Sequence, residues 1–231
     1  MNQTRHLTNS SGNHTVQICP NESSQVDLVT RYIKDGLRNG EAIILITKPA
    51  LRKALKLKMD AFSFDGQAIE NQDQIKFFDA EFLLANLMHD GLLEEKAFQE
   101  FVATPVYNAQ LNHKKVRVFG EMVDTLWKQG QHNMALQLED FWNNLSRAQE
   151  FSFLCTYSLG ELDPNGYEDA LEHICKYHSH LIPIENYDSL ENGGMGDAML
   201  NVFEVAWNRV VNKLAESQET SGQIQSHPTP I

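Results

Sequence analysis

Four residues in the C-terminal third of the chain could bind a transition metal, because imidazole and thiolate side chains are common zinc ligands. They are His173, Cys175, His178 and His180. On a helix this spacing places only Cys175 and His178 on a common face, and the chain holds at most one of the paired CxxC or CxxH units that are typical of structural zinc. His14, Cys19 and Cys155 could join such a site only through the fold. We therefore expect no metal and no cofactor, with buried thiols and surface imidazoles instead.

A phosphate-binding loop is not indicated, because no segment matches G-x-x-x-x-G-K-[ST], whose glycines let backbone N–H groups face phosphates. Glu121 follows a predicted strand, where NTPases place an acid near magnesium. Without the loop, helix capping or an internal hydrogen bond is the simpler role for Glu121. Glu139 lies on a predicted helix, where an exposed salt bridge is expected and a buried, partnered carboxylate is the minority case. The sequence thus predicts a protein that is not an enzyme.

Two further groups of residues have simpler structural interpretations. Cys155 lies in an apolar strand, where burial raises a thiol pKa and makes the group unreactive. A basic patch at residues 48–58 (Lys48, Arg52, Lys53, Lys56, Lys58) is expected to be the solvated face of a helix. An anionic ligand or an acidic partner that docks on this patch is the alternative.

The elements that must position these residues alternate between strands and helices. Strands are predicted at 15–19, 41–47, 74–78, 116–119, 151–158 and 181–184. Helices are predicted at 23–39, 49–59, 80–89, from 94 with a kink or break at Pro105, at 121–129, 134–148 and 167–178, and from 197 or 199 to 215. Ser23 or Ser24 is the expected cap of the first helix. The continuous apolar run at 41–47 is typical of a strand buried on both faces. We therefore expect an α/β fold with a mainly parallel, doubly wound sheet of about five strands and a C-terminal helix.

Composition limits the class of protein. The net charge of −12 disfavours nonspecific binding to nucleic acid or to an anionic membrane, since both favour clustered Lys and Arg. No stretch approaches the roughly 18 apolar residues of a spanning helix, and residues 1–13 lack the apolar core of a signal peptide. Three cysteines without framework spacing are expected to be free thiols in a reducing compartment. These features predict a cytoplasmic protein without direct nucleic-acid or membrane contacts.

Six segments, taken in order, form a recognisable set. They are HTVQIC (14–19), YIKDGLRNGE (32–41) before AIILIT, VRVFGEM (116–122) with LW (126–127), LE (138–139) with WN (142–143), FSFLCTY (151–157) and HICKYH (173–178). This ordered set resembles the MEDS domain, the sensory domain of methanogen and methylotroph regulators of the dichloromethane-response type. The resemblance covers about residues 14–187, around three quarters of the chain.

The resemblance implies a RecA/KaiC-like domain that has lost its ATPase loop and acts as a sensory module. Residues 15–39 would then occupy the former phosphate-loop position, and Glu121 would be a relic of the metal-binding acid. Cys19 departs from the family, whose members commonly have an aromatic residue there. The candidate ligand-binding residues are His14, Gln17, Cys19, Glu121, Trp127, Glu139, Cys155 and Tyr157.

The favoured function is a sensory or relay module that binds a small molecule or a signalling partner, such as a histidine kinase or a transcription regulator. Output would pass through a separate partner. One alternative is a cryptic nucleotide-binding or metal-assisted enzyme on a RecA-like fold, and another is an interaction module that forms a homodimer through its C-terminal helix. The expected organisation is a disordered lead (1–13), the sensory domain (14–187), a linker with an amphipathic helix (188–216) and a disordered tail (217–231).

Overall fold

A computed structural model of the protein describes residues 5–6, 13–19, 21–61, 74–158, 177–178, 180–182, 208–209 and 212. The chain divides into two compact units, Met1–Glu161 with Tyr177–Ile184, and Leu162–Lys176 with Glu185–Ile231. The second unit contains three of the described residues, Asn208, Arg209 and Asn212. Most of the predicted helices at 167–178 and 199–215, and the whole predicted tail, lie outside the described residues.

Helices and strands alternate along the first unit, as the sequence predicts. In chain order they are β1 Arg5–His6, β2 Asn13–Cys19, α1 Glu22–Arg38, β3 Ala42–Thr47, α2 Pro49–Ala61, β4 Ile75–Asp79, α3 Ala80–Leu87, β5 Met88–His89, β6 Leu92–Leu93, α4 Glu95–Phe98, a π-helical turn Gln99–Ala103, α5 Thr104–Asn112, β7 Val116–Gly120, α6 Met122–Lys128, α7 His132–Ala148, β8 Ser152–Ser158 and β9 His180–Ile182. No helix among the described residues is long and apolar enough to cross a membrane.

The main sheet has the strand order β1-β9-β2-β8-β7-β3-β4. Its neighbouring strands are parallel except β1 and β9, which pair antiparallel. The predicted α/β fold with a mainly parallel sheet is confirmed. Its main part consists of five parallel strands, which are β2, β8, β7, β3 and β4. The short strands β9 and β1 extend the sheet at the β2 edge.

Helices cover both faces of this sheet. Ile43 and Leu45 of β3 pack in a core with apolar residues of α1 and α2. Phe153 of β8 lies on the opposite face, because its neighbour Leu154 belongs to the α1–α2 core and successive strand residues point to opposite faces. The ring of Phe153 stacks on Trp142 of α7, with 4.0 Å between ring centroids. The sheet is therefore doubly wound.

Two local features differ from the prediction. Pro105 does not end a helix: it lies in the first turn of α5, directly after a five-residue π-helical turn. The wider turn accommodates the proline, and Thr104 Oγ1 donates a hydrogen bond to the backbone oxygen of Gln99 at 2.9 Å.

The second feature is the β5–β6 hairpin, which turns at Asp90 and Gly91, both with positive φ. Asp-Gly between two apolar segments is a strong hairpin signal, so the hairpin could have been predicted from the sequence.

The cap of α1 is Asn21, so the prediction of Ser23 or Ser24 is wrong. Asn21 has an extended backbone, and its Oδ1 accepts hydrogen bonds from the backbone N–H of Ser24 at 2.9 Å and from the Ser24 hydroxyl at 3.0 Å. Ser24 is thus the donor to the cap. A residue with β-region dihedrals just before the first turn is the one whose side chain can reach these N–H groups.

Replacing Asn21 with alanine is expected to lower the free energy of unfolding by about 1 kcal/mol, because a free N–H group of the first turn loses its acceptor. Urea unfolding monitored by circular dichroism measures this loss. Asn21→Asp, which keeps the acceptor oxygen, should stay within about 0.5 kcal/mol of the parent protein. Equal losses in both variants would show that the cap hydrogen bond is not the cause.

Candidate functional site

Four titratable side chains from separate parts of the chain meet in the interior of the first unit. They are His14 on β2, Glu139 on α7, Cys155 on β8 and His178, two residues before β9. Each is only 1% exposed. One donor atom from each residue lies within 4.8 Å of the donor atoms of the other three. We name these four residues the buried cluster.

The sheet register and the buried face of α7 bring these residues together. β2 and β8 are parallel neighbours in which His14 lies opposite Phe153, two residues before Cys155. His14 stacks on the Phe153 ring at 4.6 Å, on the face covered by α7. Glu139 and Trp142 are one helical turn apart, so α7 points both side chains toward this face of the sheet.

The distances within the buried cluster are short. His14 Nε2 lies 3.3 Å from Cys155 Sγ and 3.6 Å from Glu139 Oε2. His178 Nε2 lies 3.6 Å from the other carboxyl oxygen, Glu139 Oε1. The hydroxyl of Tyr157 donates a hydrogen bond to Glu139 Oε1 at 2.8 Å. One carboxyl group thus faces two imidazoles and a phenol.

Burial decides the protonation states of these groups. It raises the pKa of Glu139 to about 8, although the hydrogen bond from Tyr157 lowers this pKa in part. Burial also raises the pKa of Cys155 well above its ordinary value. For His14, burial and then the neighbouring His178 lower the pKa well below the ordinary value. At neutral pH Cys155 and His14 are therefore uncharged, and Glu139 is largely protonated.

Two expectations about these residues are wrong, and one is confirmed. Glu139 forms no exposed salt bridge, because it lies on the same helix face as the buried Ala135 and Trp142. His178 is a buried imidazole, not a surface one. The burial predicted for the Cys155 thiol is confirmed, and this burial raises its pKa.

A second polar group lies at the carboxyl ends of the strands, and we name it the strand-end group. Glu121, after β7, accepts a hydrogen bond from the backbone N–H of Lys48, after β3, at 2.7 Å. Gln25 of α1 donates through Nε2 to Thr156 Oγ1 at 2.8 Å and to Glu121 Oε1 at 3.5 Å. Burial raises the pKa of Glu121 to about 7, and the Lys48 N–H opposes this rise. The internal hydrogen bond expected for Glu121 is confirmed, whereas its side chain does not cap α6.

Gln17 and Cys19 lie on the other face of β2. Residues of a strand alternate between faces, so both point away from His14. Cys19 packs in the core formed by α1 and α2, and Gln17 is also buried. The structure therefore does not bring these two candidate residues to the buried cluster.

Trp127 connects the buried interior with the surface. Its ring stands edge-on to the Tyr157 ring at 6.0 Å and stacks on His132 at 4.5 Å. Trp127 is partly buried and His132 is exposed. The contacts Glu139–Tyr157–Trp127–His132 thus lead from the buried cluster to the junction of α6 and α7.

The remaining predicted groups contribute less to a site. In the basic patch, Arg52 and Lys56 lie over the Phe77 ring of β4 at 5.1 and 5.5 Å, and Lys58 pairs with Asp27. These contacts favour the structural interpretation of the patch. Of the H-x-C-x-x-H-x-H pattern, positions 173 and 175 lie outside the described residues, as does the side chain at position 180.

The sequence analysis named His178 only within a metal-binding pattern that it did not favour, and it missed Asn143. His14 Nδ1–H donates to Asn143 Oδ1 at 3.3 Å. His178 is 164 positions from His14 along the chain (178 − 14), so no local spacing could join them. Asn143 and His178 lie within the segments WN (142–143) and HICKYH (173–178) that carry the family resemblance. Membership in these segments was the signal in the sequence that could have identified them.

Comparison with known proteins adds a family. A family model described as "MEDS: MEthanogen/methylotroph, DcmR Sensory domain" matches residues 13–178. This span contains every residue of the buried cluster. No curated protein and no solved structure matched the chain.

Proposed function

The chain belongs to the MEDS family of sensory domains, and we propose that it is a non-catalytic sensory or signal-relay module whose input site is the buried cluster. The observation that carries this proposal is the convergence of four titratable side chains, each 1% exposed. Burying such groups is unfavourable compared with burying apolar residues. Clusters of this kind occur preferentially at functional sites.

The surroundings of the two polar groups support a role without catalysis. Tyr157 and Phe153 contact the buried cluster and are themselves buried. The donor atoms of the cluster lie within 4.8 Å of one another, which leaves no space among them for a large substrate. At the strand ends, protein groups already occupy both oxygens of Glu121.

We include in the proposal that the fold is a degenerate RecA/KaiC-like domain that works in the cytoplasm.

The output of the module is proposed to leave at the junction of α6 and α7. Tyr157 touches both Glu139 and Trp127, and Trp127 stacks on the exposed His132. A ligand that moves Glu139 would therefore shift an aromatic pair at the surface. A separate signalling protein, such as a histidine kinase or a transcription regulator, is the proposed reader of this surface.

Replacing Glu139 with glutamine is expected to change amide hydrogen exchange at the start of α7 and in α6 by at least about five-fold, the lower end of typical coupling between sites. Helix α2, on the other face of the sheet, should change much less. The measurement is hydrogen–deuterium exchange read by mass spectrometry on the full chain.

Glu100→Gln is the matched control, because it makes the same chemical change at an exposed position of the π-helical turn. It should leave exchange in α6 unchanged. If Glu139→Gln alters all protected amides by one common factor, the buried cluster affects only global stability, and the proposed input site is wrong. Stoichiometric binding of ATP–Mg in calorimetry would instead favour the cryptic nucleotide-binding alternative.

A further inference from the structure

We propose that the buried cluster binds one divalent transition metal ion of the zinc type, with His14, Glu139, Cys155 and His178 as its four ligands. The regulatory meaning of this metal rests on the proposed function, since the metal would be the signal or would hold the input site in shape. Metal binding itself can be tested independently.

The four donor atoms lie within 4.8 Å of one another, and three of the distances between them match those of a four-coordinate ion. Zinc bonds to nitrogen, oxygen and sulfur are 2.0–2.3 Å long, so the donors of a tetrahedral site lie about 3.3–3.8 Å apart. Three separations fall in this range, and the two that involve Glu139 end on different oxygens of its carboxyl group. They are 3.3 Å from His14 Nε2 to Cys155 Sγ, 3.6 Å from His14 Nε2 to Glu139 Oε2, and 3.6 Å from His178 Nε2 to Glu139 Oε1.

The chemical types of the donors select the class of metal. Two imidazoles, one thiolate and one carboxylate suit zinc and similar ions, whereas calcium and magnesium favour oxygen ligands. Metal binding would release the protons that Cys155 and Glu139 hold in the metal-free protein. The resulting thiolate and carboxylate carry two negative charges, which balance a divalent cation. A site without net charge is the arrangement that an interior position tolerates, because an uncompensated charge there is very unfavourable.

Neighbouring side chains orient two of the ligands. Asn143 Oδ1 accepts from His14 Nδ1, and this tautomer leaves the lone pair of Nε2 directed at Cys155 and Glu139. The Tyr157 hydroxyl binds Glu139 Oε1. Hydrogen bonds of this kind commonly fix histidine and carboxylate ligands around protein metals.

Four protein ligands make a closed site, which is typical of a structural or regulatory metal because no position remains for a substrate. The ligands come from β2, α7, β8 and the segment before β9. A bound ion would therefore join the segment at 177–178 to the sheet and to α7. Metal occupancy is thus suited to control the packing of α7.

Cobalt(II) is a direct probe, because its visible spectrum reports four-coordinate geometry and its near-ultraviolet charge-transfer band reports a thiolate ligand. We expect the chelator-treated full chain to bind one cobalt ion per chain with both signals, and zinc to displace it. Absence of either signal in the parent protein at stoichiometric cobalt would overturn the proposal.

Cysteine variants locate the site. Cys155→Ser should abolish the charge-transfer band, whereas Cys19→Ser, a buried thiol on the other sheet face, and Cys175→Ser should retain it. A band that survives Cys155→Ser but is lost in Cys175→Ser would place the metal elsewhere and overturn the assignment.

Tyr157→Phe keeps the ring and removes only the hydroxyl that holds Glu139, so it tests the site with little risk to folding. Its affinity for cobalt should fall by about ten-fold or more. An unchanged affinity would contradict Glu139 as a ligand.

The metal and the sensory function can fail separately. Cobalt binding at Cys155 without the exchange changes expected for Glu139→Gln would keep the metal and refute the input site. Exchange changes without cobalt binding would keep the input site and refute the metal.

Discussion

Replacing Trp142 with alanine is expected to lower the free energy of unfolding by about 3–5 kcal/mol, the range for large aromatic side chains removed from a core. Trp142 is fully buried. Its ring stacks on Phe153 at 4.0 Å and meets the edge of Phe98 at 5.2 Å. The Phe153 ring also stacks on His14. The cavity left by the removed indole would therefore loosen the packing of one residue of the buried cluster. Urea unfolding of parent and variant measures the loss.

Trp142→Phe is the matched variant for this experiment. The indole Nε1 has no hydrogen-bond partner among the described residues, so phenylalanine sacrifices volume but no hydrogen bond that the structure describes. A loss of about 1–2 kcal/mol is expected for it, well below that of alanine. Leu111→Ala, at a position that is 65% exposed, should be nearly neutral. If Trp142→Ala behaves like Leu111→Ala, the aromatic layer under α7 does not stabilise the fold as described.

Replacing Glu121 with glutamine is expected to remove a pH dependence of stability. Burial raises the pKa of this carboxyl from 4.5 to about 7 in the folded protein, so the folded state binds the proton more tightly than the unfolded state. Stability from this group is therefore fully present below about pH 4.5 and is lost as the pH rises through 7. The contribution is about 3 kcal/mol at most, since one pKa unit corresponds to about 1.4 kcal/mol.

The measurement is the free energy of unfolding of both proteins between pH 5 and pH 8. The parent protein should lose about 2–3 kcal/mol more than Glu121→Gln over this interval. Glutamine keeps a carbonyl oxygen for the Lys48 N–H, which limits other effects of the change. Glu100→Gln, at an exposed carboxylate, should follow the parent. Parallel curves for the parent and Glu121→Gln would show that the pKa of Glu121 is not raised.

Much of the fold could be predicted because the strands of the main sheet have distinct patterns. The run Ala42–Thr47 is buried at every position, and this is why it is apolar without alternation. The short strand predicted at 181–184 is present as β9, at His180–Ile182. The strand β1 was missed, because its two residues are too few for any pattern of hydrophobicity and lie in the segment expected to be disordered. Pro105 was expected to kink or break a helix, whereas the helix continues through it after a π-helical turn.

The sequence allowed most residues of the candidate site to be named, but it did not show which of them lie close together. Glu139 could have been recognised as buried, because the apolar stripe of α7 passes through Ala135 and Trp142 on either side of it. His178 could not, since its neighbours in the fold are distant in the chain. The eight candidate residues separate in the structure into the buried cluster with Tyr157, the strand-end Glu121, the surface-linked Trp127, and the two residues under α1.

The sequence by itself determines the chemical types that are present, the alternation of strands and helices, and the lack of a phosphate loop. Only the tertiary structure decides that His14 and Cys155 face Glu139 under α7, while Gln17 and Cys19 face α1. The physical reason is the two-residue period of a strand, in which a shift of one position moves a side chain to the opposite face. The register of β2 against β8 thus decides which residues can bind a common ligand.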